Sequence, residues 1–115
     1  IEENIHRLAN AGAQHFLIVD LPDLGKTPTA VEIEEEASLS KSTRLHNASL
    51  AAHIKTLKQK LQNENKSVEI ITFSAYDSLN TILNNPVLHG FTNTTQTCYE
   101  LTEPQTLHSS NRMLH

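Results

Sequence analysis

Apolar positions along the chain recur with two different periods, and their alternation predicts the order helix, strand, loop, helix, strand, helix. Ile1, Ile5, Leu8 and Ala9 share one helical face, and Gly12 is placed to stop that helix. The apolar run that follows, at about 15–21 between Gly12 and Pro22, reads as a buried parallel strand. Residues 22–40 read as a long loop. A second helix is predicted over 41–63, where Leu50, Ile54, Leu57 and Leu61 form one stripe that Leu45 extends upstream. Residues 68–73 are rich in β-branched side chains and read as a second strand. Ser74 can cap a third helix, with Asp77 in the acidic position of a capping-box-like arrangement. Leu79 and Leu83 share a face of that helix, and Asn85-Pro86 ends it. Beyond Pro86 the pattern weakens: 86–100 is loop-like, and 101–115 has no clear period.

Strands alternating with helices indicate an α/β fold with a parallel sheet and a right-handed crossover. Two strands alone leave both edges unpaired and two faces to cover, so the pattern reads as part of a larger α/β domain. Ligands of open α/β sheets sit outside the carboxyl ends of the strands. That rule points to the Pro- and Gly-punctuated loop after the first strand, residues 22–28.

Composition narrows the picture. The 115 residues suffice for one small domain, and the absence of Trp with only 4% aromatics makes its core aliphatic. A net charge of −4 and no basic stripe argue against nucleic acid as a partner. Cys98 is the single cysteine, forms no internal disulfide, and reads as a buried or boundary thiol. No apolar run approaches the roughly 18 residues of a membrane-spanning helix. The chain opens on Ile1, already inside a helical pattern, which suggests that upstream sequence and any export signal are missing.

Several chemistries can be weighed residue by residue. Gly25-Lys26-Thr27 after a strand is similar to the end of a phosphate-binding loop, but the required first glycine is Asp20 here. His46 and His53 are two helical turns apart with no carboxylate at useful spacing, so no metal site is expected. The acidic run at 32–36 reads as a solvated face or short helix. Ser74 follows a strand and opens a helix but lacks the flanking glycines of a nucleophile elbow, which leaves it the capping role. Three Asn-x-Ser/Thr matches, at Asn47, Asn65 and Asn93, read as chance in a chain rich in these residues.

The segment Gly12-Ala13-Gln14-His15-Phe16-Leu17-Ile18-Val19-Asp20-Leu21-Pro22-Asp23-Leu24-Gly25-Lys26-Thr27-Pro28 resembles the middle of the GDSL (SGNH) lipase/esterase family, nearest to its bacterial phospholipase/lecithinase/haemolysin branch. Two further segments agree in order. Leu45-His46-Asn47-Ala48-Ser49-Leu50 resembles the family's Asn-bearing helix start. Asn85-Pro86, Gly90-Phe91-Thr92-Asn93 and Cys98 resemble its Asn-Pro, Gly-Phe-x-Asn and Cys segment. The resemblance covers about residues 1–100 and implies the middle-to-late part of a three-layer α/β/α, flavodoxin-like sandwich. It implies ester hydrolysis by a Ser nucleophile, a His base and an orienting Asp, with an oxyanion hole and no cofactor.

None of those catalytic residues can be placed in this chain. The family's Ser, Gly and Asn blocks are expected upstream of Ile1, and its Asp-x-x-His block after the cysteine. In the tail, Gln105 and Arg112 stand where the Asp would precede His108 and His115. The expectation is a fragment, inactive by itself, from a broken reading frame or a truncated gene, with 101–115 out of frame. Its intact parent would be secreted or at the cell envelope and act on lipid or other acyl esters. The competing expectation is a non-catalytic α/β binding or interaction module. Pro22, Asp23, Leu24, Gly25, Thr27 and Pro28 are the substrate-loop candidates, against the alternative of a purely structural strand exit. Asn47 either ties this loop to the helix below it or is an ordinary residue near a helix start.

Overall fold

The computed structural model describes residues 1–98. Their elements run α1 (Glu2–Asn10), β1 (His15–Val19), a 3-10 turn at Leu24–Lys26, α2 (Pro28–Glu32), α3 (Glu36–Asn63), β2 (Glu69–Phe73), α4 (Ala75–Asn84) and a second 3-10 turn at Pro86–His89. The predicted order holds. The segment at 101–115, with the expected frame break, lies outside the described residues.

Gly12 adopts φ +108°, a left-handed value that glycine takes without penalty, and its amide bonds the Ala9 carbonyl to close α1. β1 and β2 then pair in parallel, from His15 opposite Glu69 to Val19 opposite Phe73. Ser74 caps α4, its hydroxyl accepting from the Asp77 amide at 3.1 Å.

The stretch at 22–40 is not a loop. It holds a 3-10 turn, α2 and the first turn of α3, which starts five residues before the expected Lys41. The start of α3 was hard to read because Glu35 makes no side-chain capping bond there. Glu36, from the acidic run, sits in the first turn of α3, where a carboxylate favours the helix dipole. Asn47 is consequently in the middle of a 28-residue helix rather than near its start.

The core joins α1, α3 and one face of the sheet. Ile5 and Ala9 of α1 pack with Ile54, Leu57 and Leu61 of α3 on Ile70, with Phe16, Ile18, Leu50 and Val68 around them. Leu45 is 62% exposed and does not belong to the stripe. The strands are not buried on both faces as the apolar run predicted. Leu17, Val19, Ile71 and Phe73 project to the opposite face and are each at least half exposed, because α1 and α3 cover only one side. The chain is thus α/β, a partial sandwich of a parallel pair under one helical layer. Two side-chain ties lock α1 to the far end of α3: His6 Nε2 lies 3.0 Å from Glu64 Oε2, and Lys66 Nζ donates to Asn10 Oδ1.

Candidate functional site: the strand exit

The carboxyl ends of both strands meet at Asp20. Its Oδ2 accepts from the Ser74 hydroxyl at 3.0 Å and its Oδ1 from the Tyr76 amide at 2.9 Å. The Asp20 amide in turn donates to the Phe73 carbonyl. One carboxylate therefore joins the end of β1 to the start of α4, where unpaired helix amides favour an acceptor. In the sequence Asp20 excluded a phosphate loop and stood within the family-like segment, with no role of its own assigned. A polar residue closing an apolar strand was the available clue.

From Asp20 the chain turns over α3, and α3 holds it. Asn47 Oδ1 accepts from the Leu21 amide and Asn47 Nδ2 donates to the Leu21 carbonyl, both at 2.9 Å. Buried Thr43 accepts from the Leu24 amide at 3.3 Å while donating to the Leu39 carbonyl. Asp23 is 7% exposed, and its Oδ1 accepts from the Gly25 amide at 3.1 Å and from the Ser40 hydroxyl at 2.6 Å. Thr27 caps α2, accepting from the Ala30 amide, and Pro28 takes the first helical position, where no amide hydrogen is needed.

The six candidates are thus placed as follows. Asp23 and Gly25 are buried against α3, Thr27 and Pro28 start α2, and Pro22 and Leu24 are half-buried. Lys26, which was not among them, is the exposed residue of 20–28. A groove of about 330 Å³ opens beside the exit, lined by Ile18, Leu50, Ile54 and Phe73 together with Asp20, Asn47 and Ser74. Two larger grooves lie elsewhere, one between α1 and α3 beside His6, His46 and His53, the other beside Gln14 and Lys66 at the opposite strand ends.

The described residues hold no assembled nucleophile and base. Ser74 Oγ is engaged with Asp20 and the Asp77 amide. His53 Nδ1 lies 3.3 Å from Ser49 Oγ but 2.7 Å from the Ser49 carbonyl oxygen. A carbonyl can only accept, so this nitrogen carries the proton and cannot take one from Ser49. Cys98 is exposed rather than buried or at a boundary. No three His, Cys, Asp or Glu side chains among the described residues converge as metal ligands. No helix among them is long and apolar enough to cross a membrane.

A family model described as GDSL-like Lipase/Acylhydrolase matches residues 1–113, past the point near residue 100 where the resemblance was expected to stop. A GDSL esterase/lipase of Arabidopsis thaliana is 33% identical over 105 residues, covering 85% of this chain and 27% of its own length. A second from the same plant is 26% identical over 98 residues, covering 84% of this chain and 28% of its own length. The chain therefore spans about a quarter of the length of the curated relatives it matches. These relatives are plant proteins and lend no support to the bacterial branch of the resemblance.

Proposed function

Because the chain belongs to the GDSL-like lipase/acylhydrolase family, we propose that it is the middle-to-late part of a serine ester hydrolase acting on lipid or other acyl esters. The nucleophile, oxyanion donors and base belong to sequence beyond the described residues, and residues 22–28 border the substrate cleft. One observation carries the second half of this reading. The segment leaving the carboxyl end of β1, where α/β sheets place their ligands, is fastened by Ser40, Thr43 and Asn47 of α3. Fixed backbone at such an end can present substrate-contacting atoms without reorganising when substrate arrives. The finer reading extends to a phospholipid-like substrate and to a parent that is secreted or at the cell envelope.

The test is hydrolysis of a short-chain chromogenic acyl ester by two samples, the chain alone and the same chain expressed with its flanking coding sequence. Turnover is expected only in the longer protein and should be abolished by a serine-directed inhibitor. Inhibitor-sensitive turnover by the chain alone would place a nucleophile within these residues. No turnover by the longer protein on short or long acyl esters would overturn the assignment.

A further inference from the structure

Ser40, Thr43 and Asn47 follow the same alternating three- and four-residue spacing as Leu50, Ile54, Leu57 and Leu61. One continuous face of α3 is therefore apolar where it meets the sheet and polar where it meets the strand exit. Within the polar half Asn47 is distinct, because both its polar atoms engage the backbone of a single residue, Leu21. A primary amide offers a donor and an acceptor side by side, as a peptide group does. Asn47 thus stands in for a neighbouring strand just past the end of β1, where the Leu21 amide and carbonyl have left the ladder.

We infer that Asn47 is a positioning residue of the proposed hydrolase, fixing the exit loop's substrate-facing backbone rather than the reacting groups. This deepens the proposed function and rests on it. Leu21, Asp23 and Leu24 all bond to α3, so the loop is tied along one side and its placement follows that helix. Loss of the tie should weaken substrate binding without slowing chemistry, since the described residues contain no assembled nucleophile and base.

Asn47→Asp keeps the shape and the acceptor for the Leu21 amide but turns a carboxylate oxygen toward the Leu21 carbonyl. Asn47→Leu removes both bonds. In the protein expressed with its flanking sequence, Asn47→Asp should raise KM for acyl esters roughly tenfold, with kcat within about twofold of wild type. The KM ratio should fall back toward one as pH approaches the ordinary aspartate range, because a protonated carboxyl regains a donor. Hydrogen exchange at the Leu21 amide should stay slow in Asn47→Asp and quicken in Asn47→Leu. Where Asn47→Leu does not fold, Thr43→Val read at the Leu24 amide replaces it. An unchanged KM in Asn47→Asp, or a fall in kcat at constant KM, overturns the inference. Absence of turnover in the wild-type protein overturns the proposed function instead, and the exchange pattern at Leu21 then decides the clamp by itself.

Discussion

Gly25 is conspicuous for what it lacks. A Cβ at this position would fall well inside contact distance of the Ser40 hydroxyl and the Glu36 carbonyl oxygen, so the 3-10 turn can lie on α3 only if residue 25 has no side chain. The Gly25-Lys26-Thr27 run, similar in sequence to the end of a phosphate loop, therefore owes its glycine to helix packing. Gly25→Ala should destabilise the fold by about 1–3 kcal/mol, because the backbone carbonyl it meets cannot swing aside. A lower denaturant midpoint with an unchanged slope would register it. Asn47 carries a similar lesson. Its side-chain amide donates to Leu21, so the Asn-Ala-Ser match at 47–49 is occupied by a structural bond. The tie from Asn47 to the loop was one of two readings open in the sequence, and the bonds to Leu21 decide for it, whereas the role of Gly25 was not legible: 11 to 15 residues separate Gly25 from Glu36 and Ser40, beyond the reach of local pattern, and 26 separate Asn47 from Leu21.

At the scale of elements, α3 shows where periodicity succeeds and where it misleads. The stripe of Leu50, Ile54, Leu57 and Leu61 was readable, and its members face the core. Its upstream continuation was misassigned to Leu45, because a search for apolar residues passes over Asn47, Thr43 and Ser40 on the true face. Leu57 is fully buried, so Leu57→Ala should cost about 2–5 kcal/mol, through lost transfer energy and an unfilled cavity. Leu45→Ala should change stability by no more than about 0.5 kcal/mol, as expected of an exposed helical position. Equal losses from the two, measured by thermal or denaturant unfolding, would return Leu45 to the stripe. Ser74 was legible as a cap, but its second bond, to Asp20 across 54 residues, was not.

At the scale of the molecule, the two faces of the sheet differ. Leu17 lies opposite Ile71 and Val19 opposite Phe73, which makes a continuous apolar quartet without cover among the described residues. An exposed patch of this kind drives association. The chain alone should therefore self-associate with rising concentration in sedimentation experiments. Leu17→Lys paired with Ile71→Glu, an opposite-charge pair in register, should suppress it. The tie between α1 and the end of α3 adds a pH dependence. The hydrogen bond from His6, then the nearby charges of His6, Lys66 and Lys60, hold the Glu64 carboxyl below its ordinary value of 4.5. A carboxyl depressed in the folded state contributes stability that is present above the unfolded value and lost as pH falls through the folded one. The melting temperature should thus decline as pH drops below about 4.5, and Glu64→Gln should flatten that part of the curve. An identical acid slope in the variant would remove Glu64 from the account.

The sequence by itself determined the element order, the α/β class, the apolar half of α3 and the family resemblance. These depend on periodicity and on short-range chemistry: which side chains fall on one helical face, which residue stops a helix, which caps the next. Tertiary structure alone decided that Gly25 is a contact point, that Asp20 joins two strand exits, and that the polar half of α3 grips the loop. Each of these is a hydrogen bond or close contact between residues far apart in the chain. Polar side chains carry no period that marks them as facing inward. Only the fold, by laying half-buried Leu21 and Leu24 and buried Asp23 on one helix, turns Ser40, Thr43 and Asn47 from ordinary helix positions into the partners that those backbone and carboxylate groups require.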